Sequence, residues 1–157
     1  MPVPPLTAPP GSALPSTAMD RDELERVRSL LESPAPAVLT TYRRDGSAHV
    51  SPVWFRWTGD WLEVVIARGD VKLRHLGRDP RCVLVVFEAA RPFRGVEVRG
   101  IPQLIDTDVT AARTMIAGKY LGGTAGVRFA AERSASPGVI LRLPAGDARV
   151  WDLSAIT

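Results

Sequence analysis

Cysteine occurs once in the 157 residues, so neither an internal disulfide nor a cysteine metal cluster can form. The single thiol, Cys82, lies inside the apolar run Cys82-Val83-Leu84-Val85-Val86-Phe87, which predicts a packed, inert side chain. Histidine is nearly as scarce. His49 and His75 are the only two, neither stands at metal-ligand spacing from a partner, and metal catalysis is not expected. No apolar run approaches the roughly 20 residues of a membrane-crossing helix, so the chain reads as soluble with no membrane partner. There is no Gly-x-Ser-x-Gly elbow, no Walker lysine and no Gly-x-Gly-x-x-Gly after a strand, which removes serine hydrolases and the common nucleotide folds. Twenty basic residues are scattered among seventeen acidic ones, for a net charge of +3, with no basic stripe or aromatic platform. A nucleic-acid partner is therefore not expected. A few arginines facing one pocket could still hold a phosphorylated or carboxylated small molecule.

What is present suits one globular domain: 45% hydrophobic and 24% charged residues on a chain too short for two ordinary domains. Residues 1–18 carry six prolines and no charged side chain, and read as an extended arm ahead of a domain over 19–157. The arm lacks the basic and apolar regions of an export signal, so a cytoplasmic location is expected. Asp20, with Glu23 three residues on, predicts a capped helix bearing Leu24, Val27 and Leu31 on one face and ended by Pro34 and Pro36. Strands are expected over 37–42, 49–57, 61–67, 82–88 and 93–105, with an Asp45-Gly46 hairpin turn and a bend at Pro102. A short helix is expected over 71–78 behind Asp70, and a longer one through Val109, Ala112, Ile116 and Tyr120, stopped by Gly122-Gly123. A loop or helical turn around Phe129 precedes a final hairpin of 138–144 with 149–153. Short strands, tight turns and few helices make this an α+β, mainly β chain. They predict a split antiparallel β-barrel with flanking helices. Strands apolar on both faces, such as 49–57 and 82–88, suggest that a second copy covers one side, as in a homodimer.

Two stretches could carry chemistry. In Ala67-Arg68-Gly69-Asp70-Val71-Lys72-Leu73-Arg74 a strand ends, a glycine turns the chain and a helix opens among cations, which outlines an anion site. Spacing alone favours a plainer alternative, a surface helix capped by Asp70 with Lys72 and Arg74 in solvent. In Pro52-Val53-Trp54-Phe55 a proline inside a strand marks an edge or bulge, where a planar ring could meet open backbone groups. Two core aromatics beside an edge proline explain the stretch equally well. No acid–base dyad is visible, so no catalytic residue is assigned.

Three ordered blocks add a resemblance. They are Val38-Leu39-Thr40-Thr41-x-Arg43-x-Asp45-Gly46-Ser47-x-His49-Val50-Ser51-Pro52-Val53-Trp54-Phe55, Ala67-Arg68-Gly69-x-x-Lys72-x-Arg74-x-Leu76-x-Arg78-Asp79-Pro80-Arg81, and Val96-Glu97-Val98-Arg99-Gly100. Together they resemble the pyridoxamine 5'-phosphate oxidase-like, flavin-binding split β-barrel superfamily, in particular its branch of oxidoreductases that use the deazaflavin coenzyme F420. The resemblance implies a homodimer with cofactor sites between the barrels. It implies that Arg68, Gly69, Lys72 and Arg74 hold the cofactor phosphate, and that Ser51, Pro52, Val53 and Trp54 run beside the ring. Some relatives carry an arginine two residues before the lysine, where this chain has Asp70. Phe93 and Arg94 are candidates for the substrate face. The implied activity is hydride transfer between coenzyme F420 and an unsaturated small molecule. The alternatives are an FMN-dependent oxidase or reductase on the same barrel and a non-enzymatic binder of flavin, deazaflavin or a haem-like ligand. A true pyridoxamine phosphate oxidase is a weaker alternative, since no grip for a second phosphate is evident.

Overall fold

The computed structural model describes residues 21–156. The proline-rich arm, the Asp20 cap and the side chain of Leu24 lie outside the described residues. Helix α1 (Arg21–Glu32) buries Val27, Leu30 and Leu31 at helical spacing and ends where the Ser33 hydroxyl donates to the Leu30 carbonyl, just before Pro34. Strands β1 (Ala37–Tyr42) and β2 (Ala48–Val53) form a hairpin whose turn needs Gly46 at φ +83° and ties Asp45 to Ser47. Strands β3 (Arg56–Trp57) and β4 (Trp61–Ala67) follow, then helix α2 (Val71–Arg78) and strand β5 (Cys82–Phe87). Strands β6 (Gly95–Gly100) and β7 (Gln103–Asp106), helices α3 (Thr110–Leu121) and α4 (Gly123–Glu132), and strands β8 (Gly138–Pro144) and β9 (Ala148–Trp151) complete the chain.

The strands form two wholly antiparallel sheets, one of five strands in the order β2-β1-β5-β6-β9 and one of four in the order β3-β4-β8-β7. Their inward side chains meet in one core: Leu39, Leu84, Val86 and Val98 from the first sheet, Leu62, Val64, Ile66, Leu141 and Leu143 from the second. Strict alternation along β1 and β5 puts Leu39, Cys82, Leu84 and Val86 inside, and burial pushes the Cys82 thiol up to about 12, so it stays protonated and inert. The outer face of the second sheet is covered by α3 through Val109, Ala112 and Ile140. Double coverage explains why β8 is buried along nearly its whole length.

The split barrel expected from the sequence is the fold observed, with three internal differences. The expected strand 49–57 breaks at Trp54-Phe55, where Phe55 turns fully into the core and the chain crosses from the first sheet to the second. The expected strand 93–105 breaks at Ile101-Pro102 into β6 and β7, again changing sheets, because proline has no N–H for a ladder to continue through. The expected final hairpin is not a paired one: β8 pairs with β4 and β7, whereas β9 pairs with β6. The turn at 145–147 carries the chain between sheets. A fourth difference is helical. Gly122, at φ +89°, ends α3, but the chain starts α4 at once, and α4 packs so tightly that a Cβ on Gly126 would overlap the backbone of Gly118.

Candidate functional site

The strand–turn–helix corner forms as the sequence predicts. Gly69 takes φ +93°, a left-handed conformation that other residues seldom adopt, and Asp70 caps α2 by accepting from the Lys72 amide at 2.9 Å. The same carboxylate accepts from the Lys72 ammonium at 3.1 Å. Burial works to raise the Asp70 carboxyl, but the Lys72 amide and ammonium outweigh it and hold it below the ordinary carboxylate value. Lys72 is therefore largely buried yet already paired.

Beside this corner lies a cavity of about 310 Å³. One side is built from Pro52, Val53 and Trp54, at the point where β2 leaves the first sheet, with Val65 and Ala67 of β4 and the Asp70–Lys72 pair of α2. The other side comes from Arg113 and Ile116 of α3, Phe129 of α4 and Arg133 just beyond it. Three cations thus line the cavity against one carboxylate, next to apolar and aromatic surface. Arg113 is 92% buried, and its fork donates to the carbonyls of Arg133 at 2.8 Å and Ser136 at 3.0 Å. The Arg133 guanidinium lies 3.7 Å from the centre of the Phe129 ring.

Trp54 separates this cavity from a shallower apolar hollow of about 680 Å³ lined by Pro34, Pro36, Val38, Phe87 and Tyr120. Its indole stacks on Tyr120 at 5.1 Å, with the rings 8° from parallel, and Tyr120 in turn donates to the Ala35 carbonyl. Beneath the stack, the Lys119 ammonium donates to the carbonyls of Leu31 and Phe55 and lies 3.5 Å from the Phe55 ring centre. Burial lowers Lys119 to about 8 and raises the Tyr120 hydroxyl to about 12.

Of the residues singled out from the sequence, the structure brings Pro52, Val53, Trp54 and Lys72 to the cavity. Ser51 sits one residue off it, facing the same side of the sheet as Leu39, and its buried hydroxyl has no hydrogen-bond partner among the described residues. Arg68 is exposed and ion-paired with Asp106 of β7, and Arg74 is exposed on α2; neither lines the cavity. Phe93 and Arg94 are not brought there either. Arg94 is held in the β5–β6 connection by Glu88 at 2.9 Å and by Ser29 of α1 at 2.8 Å, so its charge fastens α1 to the barrel. Arg113, Phe129 and Arg133 were not singled out, because their contribution depends on α4 folding back over α3. His75, the histidine of α2, is a core residue hydrogen-bonded to Thr41 at 2.9 Å, and burial, chiefly, lowers its pKa. Among the described residues no group of three His, Cys, Asp or Glu side chains could hold a metal ion, and no helix is long and apolar enough to cross a membrane.

Two antiparallel sheets exchanging strands, flanked by helices and cupping a cavity at the β4–α2 corner, define a split β-barrel protein. The chain belongs to the pyridoxamine 5'-phosphate oxidase family, which residues 24–152 match. Among solved structures it is similar to an F420 reductase, at 24% identity over 78% of this chain and 94% of that one, with a TM-score of 0.63. It is also similar to a conserved hypothetical protein from Mycobacterium tuberculosis, at 20% identity over 82% and 84% of the two chains and a TM-score of 0.68. A third similar structure is an FAD and heme binding protein from Mycobacterium smegmatis, at 20% identity over 84% and 70% of the chains and a TM-score of 0.62. At these identities the likeness establishes the fold. No curated protein matches the chain.

Proposed function

We propose that the chain is an oxidoreductase that holds coenzyme F420 in the cavity between the β4–α2 corner and the α3–α4 pair. The observation that carries this reading is the composition of that cavity: Lys72, Arg113 and Arg133 against Asp70 alone, beside the apolar wall of Val53, Trp54, Ile116 and Phe129. A volume of about 310 Å³ falls at the lower end of the range for small-molecule sites, and the apolar hollow beyond Trp54 extends it. The donor set fits a flat ring with an acidic tail. Cations accept the tail, and uncharged side chains cover the ring.

In this reading Lys72 binds the phosphate, exchanging part of its contact with Asp70 for the ligand while the dipole of α2, whose N-terminal end faces the corner, lends further attraction. Arg68 adds charge at longer range. Pro52, Val53 and Trp54 lie along the ring, and β2 is an edge strand, so backbone groups on its open side are free of the ladder. Ile116 and Phe129 exclude water. When bound, the deazaflavin supplies two-electron hydride transfer, which is why the protein needs to position and shield rather than provide an acid–base dyad. We further infer a homodimer, with the outer face of the five-stranded sheet, where Val50 is 60% exposed and Val83 and Val85 are half-buried, meeting a second copy.

Equilibrium titration of the purified protein with coenzyme F420 and, separately, FMN tests the reading. Submicromolar binding of F420 is expected, with Lys72→Ala weakening it by about 1–3 kcal/mol through loss of a charge-assisted hydrogen bond. Tighter binding of FMN would move the protein to the FMN-dependent alternative, and binding of neither would remove the oxidoreductase reading altogether.

A further inference from the structure

We propose that Arg113 and Arg133 form a second anion subsite, separate from the Lys72 corner, which takes the carboxylated tail of the cofactor and makes the chain select a cofactor with more than one acidic group. This rests on the proposed function above. Its starting point is an asymmetry among the buried cations. Arg56 and Arg142 share the carboxylate of Glu63, Arg94 pairs with Glu88, and Lys72 pairs with Asp70. Arg113 is more deeply buried than any of them, but its two hydrogen-bond partners are backbone carbonyls, and no carboxylate stands in ion-pair contact with it among the described residues. Carbonyls satisfy the geometry of two N–H groups and leave the net charge uncompensated. A buried charge in that condition is costly, and an incoming anion relieves the cost.

Arg133 lines the same cavity. Its guanidinium lies against the Phe129 ring, its one acidic neighbour is Glu132 at 3.7 Å, and both of those side chains are about half exposed. One N–H donates to the Phe129 carbonyl at 3.3 Å, and stacking on the ring holds the fork in place with its remaining N–H groups available to a carboxylate. Arg113 is also the wall shared with an adjoining hollow of about 230 Å³ bounded by Asp108, Thr110 and residues 134–138. The Asp108 carboxylate there is spent on the Thr110 amide and hydroxyl, at 2.9 and 2.7 Å. The space beyond Arg113 therefore gives an acidic tail somewhere to run. FMN carries a single phosphate monoester and ends there, whereas coenzyme F420 carries a phosphodiester followed by glutamates.

The test is equilibrium binding, followed by cofactor fluorescence, of the full chain with three probes: coenzyme F420 with several glutamates, the same coenzyme stripped of its glutamates, and FMN. The unmodified protein is expected to bind the glutamylated form tightest. Arg133→Ala should weaken that form about tenfold, the size of one charge-assisted contact, and leave the stripped form and FMN within about twofold. Lys72→Ala should weaken all three. Arg113→Lys, which keeps the charge and one donor to the Arg133 carbonyl, should fall between the unmodified protein and Arg133→Ala for the glutamylated form alone. Equal affinity of the unmodified protein for all three probes, or an Arg133→Ala loss shared by all three, would overturn the second subsite while leaving the cofactor reading intact. Failure of every probe to bind would overturn both.

Discussion

The two sides of the cavity treat charge in opposite ways. On the β4–α2 side the cation that lines the cavity, Lys72, already has a carboxylate in Asp70, as Arg68, outside the cavity, has in Asp106. On the α3–α4 side Arg113 is buried against two backbone carbonyls, with no carboxylate paired to it among the described residues, and Arg133 has only the loose, half-exposed contact with Glu132 at 3.7 Å. A paired cation must give up a partner before it binds an anion, so its net contribution is the difference between two similar interactions. An unpaired one has no such exchange to make. The corner that reads as an anion site from sequence is thus the weaker electrostatic attractor of the two, and the helix pair that does not read as one is the stronger.

The largest expected effect separates the two sides physically. Gly126→Ala would drive a methyl group into the Gly118 backbone, which cannot move aside as a side chain could. Overpacking of this kind costs about 2–3 kcal/mol, so a denaturant titration should show that loss, with cofactor affinity falling as Arg113 and Phe129 shift. An unchanged midpoint would mean that α4 is not seated against α3 as described.

The next effect concerns Lys119 and pH. Its folded value of about 8 lies below the 10.5 of a free lysine, because burial disfavours the ammonium. Between these values the unfolded chain binds a proton that the folded chain does not, so this group makes stability rise with pH from about 8 to 10.5 and contributes no slope below that window. Cys82 and Tyr120, both raised to about 12, act in the opposite direction, and comparison with Lys119→Met cancels them. The stability difference between the unmodified protein and Lys119→Met should rise across the window with a slope below about 1.4 kcal/mol per pH unit, reduced by the group's partial exposure. A flat difference would show that the ammonium is solvated.

Asp70→Asn is expected to have a smaller effect, of about 1 kcal/mol, in the direction of tighter binding. Asparagine caps a helix as well as aspartate does, so α2 should keep its stability while Lys72 is released toward the ligand. Weaker cofactor binding in that variant would show that Asp70 itself contacts the ligand. The smallest effect belongs to Arg68→Ala. The Arg68–Asp106 pair is at least half exposed on both partners, so solvent and salt screen it and its removal should leave the denaturation midpoint unchanged within measurement error.

Much of the first half of the molecule was legible residue by residue. The alternation in β1 and β5, the Asp45-Gly46 turn and the Asp70 cap are local devices whose partners lie within a few positions, so their reading survives folding. The sheet changes at Trp54-Phe55 and at 145–147 were not legible. A strand that ends one ladder and a strand that starts another look alike in period-2 patterning, because the period carries no information about the pairing partner. Helix α4 does not show in the sequence because Gly122-Gly123 reads as a stop, yet the chain resumes helix at once and Gly126 lets the two helices approach to backbone contact. Arg94, beside a turn and near aromatics, reads as available to a substrate and instead fastens α1 through Ser29 and the Arg26 carbonyl, contacts that span 65 and 68 positions in the chain.

By itself the sequence determined the fold class, the inert thiol at Cys82 and the conformation of the Gly69–Lys72 corner, since each follows from short-range sterics, capping and alternation. Which cations face the cavity, which of them are neutralised, and that Trp54 divides it from an apolar hollow were decided by tertiary structure alone. Charge compensation and enclosure depend on groups distant in the chain, and α2, α3, α4 and the β2–β3 crossing come together at this site only when the two sheets close on each other.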